Sequence, residues 1–226
     1  MPEIMVRQHQ LAFFLENAPL LDRLNIARVF REEFGEDLSG EPTILPIPND
    51  APLEIPRIIL SSPDKTIICN ISPLRVDLII NLNSSQATPE LVKKAEDLTP
   101  YIKSLTKVIL THLKWKINRL AYIKSVELNL KGGVIRNMSS KVTEDISQNA
   151  AQLQIHKMQT VKIDESACNH WIRIISENPG EENEKIVILS DLNTLQKEQK
   201  EFGQAEIIQF FTKGMEYADK VISHLF

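Results

Sequence analysis

The chain has 226 residues, of which 42% are apolar and 25% are charged, and its formal net charge is −4 at pH 7. This composition is ordinary for a soluble globular protein. Seven glycines argue against glycine-rich phosphate-binding loops and β-propellers, while two cysteines, Cys69 and Cys168, favour a reducing compartment over a disulfide framework. We see neither a signal peptide nor the ~18 consecutive apolar residues of a membrane span, and so expect a cytoplasmic protein without membrane insertion.

The N-terminal quarter predicts a strand, a helix and an extended connection. Residues 4–15 are rich in β-forming residues and predict the strand. Asn17 and Pro19 resemble a helix cap and first turn, and Gly35 supplies the stop. Between them the apolar residues Leu20, Leu24, Ala27, Phe30 and Phe34 follow at helical spacing. Five prolines between residues 36 and 56 then predict an extended connection over the surface.

The middle of the chain predicts a strand meander followed by two helices. Short β-rich runs cover residues 57–60, 66–71 and 76–82. Thr88 and Thr99 are each followed by a proline, which predicts a helix start at both threonines. Because the apolar positions keep one face as far as Leu113, we expect two nearly continuous helices lying on a sheet.

The C-terminal half predicts more strands and a final helix. A strand over residues 120–130 precedes a polar loop over residues 139–150. Three further strands cover residues 153–163, 170–176 and 186–192, with a solvated hairpin tip at residues 179–184. The last helix runs over residues 204–226, and its inner stripe is Ile207, Phe211, Ala218, Ile222 and Leu225, widened by Ile208, Met215 and Val221. Burying some eight such side chains at ~1.5–3 kcal/mol each makes this helix a principal core element.

The two halves of the sequence repeat one pattern. The matching segments are RIILSSP (57–63) with RIISENP (173–179), INLN (80–83) with ILSDLN (188–193), and ILTHL (109–113) with VISHL (221–225). We therefore predict an α+β fold whose antiparallel sheet comprises two similar βββα halves, residues 1–116 and 117–226, in one compact pseudo-duplicated domain. The long helices pack on one face, which leaves the other face solvated or available as an interface.

Two short segments carry a resemblance to known families. They are NRLAYI at residues 118–123, which enters a strand after the mid-chain helix, and DLNT at residues 191–194, at a strand end. Together with the order of elements, they make the chain resemble a sporadically distributed bacterial family of about this length. Each half is also similar to the strand meander and helix of the SecB export chaperone. These resemblances imply a fold and carry over no functional residue.

The strongest candidate for a reactive cluster is Cys168 with His170, near Asp164 and Glu165. Residues two apart on a strand point to one face, so a thiol–imidazole pair is geometrically possible. Their Cα atoms are ~6–7 Å apart, which is awkward for direct proton transfer. An enzyme with a site around Cys168, His170 and Asp191 is therefore a minor alternative. One Cys-x-His supplies two ligands where zinc needs four, so we expect no metal and no cofactor.

Charge is unevenly distributed along the chain. Basic residues dominate between residues 93 and 136, and acidic residues dominate between residues 164 and 206. Spacings of four and seven place Lys103, Lys107 and Lys114 on one helix face, where they would form a basic stripe. Solvated faces explain most such patterns, but the stripe could contact nucleic acid, and complementary charged surfaces would suit self-association.

The absence of catalytic motifs and the uncovered sheet face favour a non-enzymatic protein–protein interaction module, that is, an adaptor, an assembly component or a chaperone-like binder. Its partner would be another protein or a second copy of the chain. The alternative is a nucleic-acid-associated protein that uses Lys103, Lys107, Lys114, Lys116 and Arg119.

Overall fold

The computed structural model describes residues 4–48, 50–130, 152–177, 184–195 and 201–225. Within these ranges the strands are β1 (Ile4–Leu15), β2 (Thr43–Ile44), β3 (Ile58–Ser61), β4 (Ile67–Ile71), β5 (Arg75–Asn81), β6 (Ile117–Leu130), β7 (Gln152–Ile163), β8 (Ser166–Glu177) and β9 (Glu184–Thr194). The α-helices are α1 (Arg23–Phe34), α2 (Pro89–Ala95), α3 (Thr99–Thr106) and α4 (Gln204–Ser223). The predicted α+β class is confirmed.

All nine strands form one antiparallel sheet in the order β2-β3-β4-β5-β1-β6-β9-β8-β7. The long strands β1 and β6 lie side by side at its centre, with Ile4 opposite Leu128 and Leu15 opposite Ile117. Strands from the first half of the chain therefore lie on one side of this central pair, and strands from the second half lie on the other. The antiparallel sheet is confirmed, and β8 begins four residues earlier than predicted. The predicted loop at residues 139–150 and the hairpin tip at residues 179–183 lie outside the described residues.

Helix α1 begins later than the sequence predicted. The start at Asn17 and Pro19 is wrong: the helix is capped by Asp22, whose carboxylate accepts a hydrogen bond from the Asn25 backbone N–H at 3.0 Å. The reason is tertiary, since the Ala18 N–H donates to the Pro73 carbonyl in the β4–β5 turn at 2.7 Å. That bond ties residue 18 to the β4–β5 turn, and the helix begins only after the Asp22 cap.

The two mid-chain helix starts are confirmed, but the second helix does not continue regularly. Thr88 caps α2 by accepting a hydrogen bond from the Leu91 N–H, and Pro100 lies in the first turn of α3. A π-helical turn over Lys107–His112 follows α3. The chain then leaves the helix, and Lys114 adopts a left-handed φ of 54°. The predicted apolar face is kept despite this turn, since Leu105 and Ile109 are fully buried and Leu113 packs against the same buried cluster. The regular α-helical geometry over Lys107–His112 is what differs from the prediction.

Burial alternates along the strands and defines two faces of the sheet. On β5 the side chains of Val76, Leu78 and Ile80 are fully buried, whereas those between them are part-exposed. We call the face with the buried side chains the inner face and the opposite one the outer face. The inner-face Phe13 ring lies 5.1 Å from that of Phe211 on α4. The buried apolar cluster that contains Phe13 and Phe211 includes residues from α1, α2, α3 and α4.

Helix α4 contributes more to the core than its predicted stripe. Of that stripe, Ile207, Phe211, Ala218 and Ile222 are buried, as predicted, whereas Leu225 lies past the helix end and is half-buried. Phe210 and Gly214 are buried in addition. A Cβ atom on Gly214 would lie 3.1 Å from the Leu192 side chain, so this glycine lets α4 approach β9 closely.

Candidate functional site

The structure does not assemble the predicted reactive cluster. Strand β8 places Cys168 and His170 on the same face, as predicted, but that is the inner face and both residues are fully buried. His170 Nε2 lies 2.8 Å from the Ser190 hydroxyl, and burial lowers the pKa of His170 to about 4. Asp191 is next to Ser190 on β9 and therefore lies on the outer face. The sheet therefore separates Asp191 from Cys168 and His170, and this geometry does not support the alternative of a site around the three residues.

The two thiols should be unreactive in the folded protein. Cys69 and Cys168 are free and buried, and burial raises the pKa of the Cys168 thiol to about 11. Because the thiolate is the nucleophile, a disulfide reagent at pH 7.5 should label fewer than ~0.1 thiol per chain over an hour natively. It should label two thiols per chain in urea. Rapid native labelling of one thiol, assigned by Cys69→Ser and Cys168→Ser, would reinstate a nucleophilic role.

No group of three or more His, Cys, Asp or Glu side chains within the described ranges could hold a metal ion. The nearest to a polar cluster on the inner face is His9, whose Nδ1 lies 2.8 Å from the Tyr122 hydroxyl, with Lys124 paired to Asp219 nearby. Burial, and then the charge of Lys124, lowers the pKa of His9 to about 3. The ring therefore stays neutral at pH 7, and it is stacked with the Tyr122 ring at a centroid distance of 6.1 Å.

The three lysines of the predicted stripe do not all share one helix face. Lys103 is exposed on α3, Lys114 follows the helix end, and Arg119 lies on β6 on the outer face. The premise that Lys114 continues the stripe is wrong, because the π-helical turn changes the spacing and the backbone then leaves the helix.

Two of these cations are paired within the chain. Lys107 Nζ lies 2.6 Å from a Glu33 carboxylate oxygen, and Lys116 Nζ lies 2.5 Å from Glu201 and 3.7 Å from Glu16. The pair of Lys116 with Glu201 joins the basic and acidic segments of the sequence inside one molecule. Contact of these residues with nucleic acid stays a prediction.

The outer face carries a row of apolar side chains across both halves of the sheet. They are Ile59, Ile68, Ile79, Ile123, Leu189, Ile175, Trp171 and Met158. None of them belongs to a buried apolar cluster. Trp171 is 38% exposed and Met158 is 50% exposed. Water therefore reaches apolar side chains on both halves of the sheet. Polar side chains lie between some of them: Gln10 separates Ile79 from Ile123, and Asp191 separates Ile123 from Trp171.

Two arginines flank an aromatic ring at one end of the outer face. Phe14 on β1 lies opposite Arg75 on β5 and opposite Arg119 on β6. The Arg119 guanidinium carbon is 3.6 Å from the centroid of the Phe14 ring, and that of Arg75 is 4.7 Å from it. Both distances are within the range of a cation–π interaction. These side chains line a depression of about 470 Å³.

The two guanidinium groups differ in their partners. Arg75 Nε donates to Asp77 Oδ1 at 2.7 Å, and Gln10 Nε2 donates to the same oxygen at 2.9 Å. Arg119 Nε is buried and has no hydrogen-bond partner. Burial, and then the positive charge of Arg75, lowers the pKa of Arg119.

The sequence indicates Arg119 only as one of the basic surface residues and does not single out Phe14 or Arg75. The three residues are far apart in sequence, and the pairing of β1 with both β5 and β6 brings them together. The alternation of part-exposed and buried positions on each strand was the available signal. It places a residue on a face but does not identify the neighbouring strand.

Comparison with known proteins gives no relative of this chain. No family model matches it, no curated protein matches it, and no solved structure matches it. The resemblances to a sporadically distributed bacterial family and to SecB therefore stay expectations from short segments. As for the membrane, each helix in the described part of the chain is too short or too polar to cross one.

Proposed function

We propose that this chain is a non-enzymatic protein–protein interaction module that binds another protein through the outer face of its sheet. The observation that carries this proposal is the row of part-exposed apolar side chains on that face, which includes Trp171 and Met158. Trp and Met are enriched at protein–protein interfaces, where polar side chains lie among the apolar ones. An adaptor, an assembly component and a chaperone-like binder all fit this geometry, and a second copy of the chain is an alternative partner.

The proposal includes the packing of the long helices on the inner face alone. Helix α3 contacts both α1 and α4, and α4 also contacts β6, β7 and β9. The rings of Phe34 on α1 and Tyr101 on α3 are stacked with their centroids 6.4 Å apart. These contacts support one continuous helical layer, with the outer face left for a partner.

The proposal also retains a duplicated architecture. From the central pair outwards the order is β5, β4, β3 beside β1, and β9, β8, β7 beside β6, and a helix follows each set of strands. This order supports two similar units joined in one domain by β1 and β6. The INLN and ILSDLN segments lie on equivalent strands, β5 and β9. The RIILSSP and RIISENP segments do not, since they lie on β3 and β8.

The alternatives receive less support. An enzyme would need accessible reactive groups, and burial of Cys168 and His170 removes the pair that the sequence offered. A nucleic-acid surface needs free cations, whereas Lys107 and Lys116 are paired with carboxylates. Two free cysteines support a reducing compartment, and we propose the cytoplasm.

Ile123→Lys should abolish partner binding without unfolding the protein. Ile123 is part-exposed on the outer face of β6, opposite Asp191 of β9, so a lysine there can pair with that carboxylate while it breaks the apolar row. Val92→Lys is the matched control, because Val92 is a 44% exposed apolar residue on α2. Tagged wild-type and variant proteins would be used to capture partners from the native cell at two salt concentrations, with mass spectrometry as the readout.

We expect the wild type and Val92→Lys to capture a stoichiometric protein partner that stays bound at the higher salt concentration. Ile123→Lys should capture at least tenfold less of this partner, equivalent to a loss of ~1.4 kcal/mol in binding free energy. Sedimentation equilibrium of the three proteins tests self-association: if a second copy is the partner, wild type and Val92→Lys should associate and Ile123→Lys should not. Equal capture by both variants would contradict the outer-face proposal. Recovery of nucleic acid that is lost as salt rises would favour the basic residues instead.

A further inference from the structure

The unpaired guanidinium of Arg119 is the feature of the outer face that calls for a ligand. Within the described ranges no carboxylate lies within ion-pair distance of Arg119, and its buried Nε has no hydrogen-bond partner. A buried N–H that makes no hydrogen bond costs free energy, and a charged one costs more. Stacking on Phe14 offsets part of this cost but supplies no acceptor.

The arrangement leaves the terminal nitrogens of Arg119 available. A guanidinium that stacks with its face on an aromatic ring keeps its in-plane N–H groups free for a second partner. The neighbouring Arg75 already donates to Asp77. Arg119 feels the charge of Asp191 but makes no hydrogen bond or ion pair with a carboxylate within the described ranges. A carboxylate that binds a guanidinium with both oxygens forms two parallel charge-assisted hydrogen bonds.

The charges around the depression favour a single negative charge on the ligand. The two arginines share its lining with Glu16, Glu54 and Asp77. Glu16 is near Lys116 and Asp77 is paired with Arg75, so Glu54 is the lining carboxylate without an ion pair among the described residues. The charge of Asp191 also acts on Arg119. A phosphate, with nearly two charges at pH 7, would be repelled more strongly by these carboxylates than a side-chain carboxylate would.

The depression lies on the same strands as part of the apolar row, four residues away along each strand. Arg75 and Ile79 point to the same face of β5, four residues apart, and Arg119 and Ile123 do so on β6. Four residues of strand span ~13 Å, since each residue advances the chain by ~3.3 Å. An extended segment that places an acidic side chain on Arg119 would thus place the fourth residue beyond it over Ile79 and Ile123.

We infer that Arg119, held on Phe14 beside Arg75, binds an aspartate or glutamate side chain presented by an acidic, extended segment of the partner protein. This inference rests on the proposed function, because it names the chemistry of the partner at the same face. The partner segment carries an acidic residue and, four positions away, an apolar residue.

The test follows the Arg119 Nε–Hε resonance in NMR spectra of the ¹⁵N-labelled full chain, assigned by its loss in Arg119→Lys. The probe is the acetylated, amidated peptide Glu-Ser-Thr-Ser-Leu, and the matched peptide has Gln in place of Glu. We expect a saturable shift with the Glu peptide and at least tenfold weaker binding of the Gln peptide. Arg119→Lys should also bind the Glu peptide at least tenfold more weakly; its binding is followed on the Ile123 backbone amide, because the Arg119 resonance is lost in this variant. Arg28→Lys on α1 is the control and should bind the Glu peptide as the wild type does.

Three results would overturn the inference: no shift with the Glu peptide, equal shifts with both peptides, or tighter binding of inorganic phosphate than of the Glu peptide. The third would assign the site to phosphoryl groups. The results that would overturn this inference can be told apart from those that would overturn the proposed function. If Ile123→Lys loses the captured partner while the Glu peptide leaves Arg119 unshifted, the outer-face proposal stands and the acidic segment does not.

Discussion

Phe13→Ala should lower the free energy of unfolding by about 3–5 kcal/mol, whereas Phe14→Ala should lower it by about 1–2 kcal/mol. The two residues are adjacent on β1 and differ in the face they occupy. Phe13 is fully buried on the inner face, against Phe211 of α4. Its truncation removes apolar contacts and leaves a cavity between the sheet and a helix. Phe14 is part-exposed on the outer face and loses mainly its two cation–π contacts.

The measurement is urea unfolding followed by tryptophan fluorescence, for which the buried Trp115 serves as a reporter. Each variant is the matched control of the other, since both replace a phenylalanine by alanine in the same strand. A difference of at least ~1 kcal/mol is expected, equivalent to roughly fivefold in the folding equilibrium constant. Equal losses of 3–5 kcal/mol would mean that the outer face is as well packed as the inner face. Such a result would remove the basis for a docking surface there.

The strands could be predicted because their residues carry a local signal. Runs of β-forming residues predicted the bounds of β3, β4, β5 and β9 to within two residues, and both bounds of β1 were predicted correctly. The sequence pattern predicts the start of α1 too early, because it favours Asn17 as the cap in place of Asp22; in the structure Ala18 is hydrogen-bonded to Pro73 and the helix begins after Asp22. The π-helical turn after α3 was not predicted, since such a turn leaves no simple mark in the pattern of apolar residues.

The candidate site could be predicted only in part. Alternation correctly placed Cys168 and His170 on one face, but it cannot tell which face meets the helices when both carry apolar residues. On β8 the inner face carries Ile172 and Ile174, while the outer face carries Trp171. The proximity of Arg119 and Arg75 depends on the order of strands across the sheet. That order is set by packing over the whole chain and not by any segment of it.

Acid should destabilise the protein well above the pH at which most carboxylates titrate, and two buried histidines are the reason. In the folded state the pKa of His9 is lowered to about 3 and that of His170 to about 4, in both cases first by burial. Lys124 lowers the pKa of His9 further, and Lys157 does so for His170. In the unfolded chain both return to about 6.5, so the unfolded state binds more protons below that pH.

The free energy of unfolding therefore falls as the pH is lowered below about 6.5. The contribution of both histidines to stability is complete above about pH 6.5 and is lost as the pH falls towards the folded-state values of 3 to 4. At pH 5 each histidine lies about 1.5 pH units below its unfolded pKa, which costs ~2 kcal/mol, or ~4 kcal/mol for the two. Urea unfolding between pH 7.5 and pH 4.5 measures this loss.

The variants isolate the histidines from other sources of acid sensitivity. His9→Gln and His170→Gln each remove one titrating ring, so each should flatten the dependence of the unfolding free energy on pH by about half, whatever its effect on stability at pH 7.5. His156→Gln is the control, because His156 is exposed on β7 and its removal should leave the slope unchanged. A slope that all three variants leave intact would show that the two rings are protonated in the folded protein. The inner face would then admit water at His9 and His170, and it would no longer be a closed apolar layer beneath the outer face.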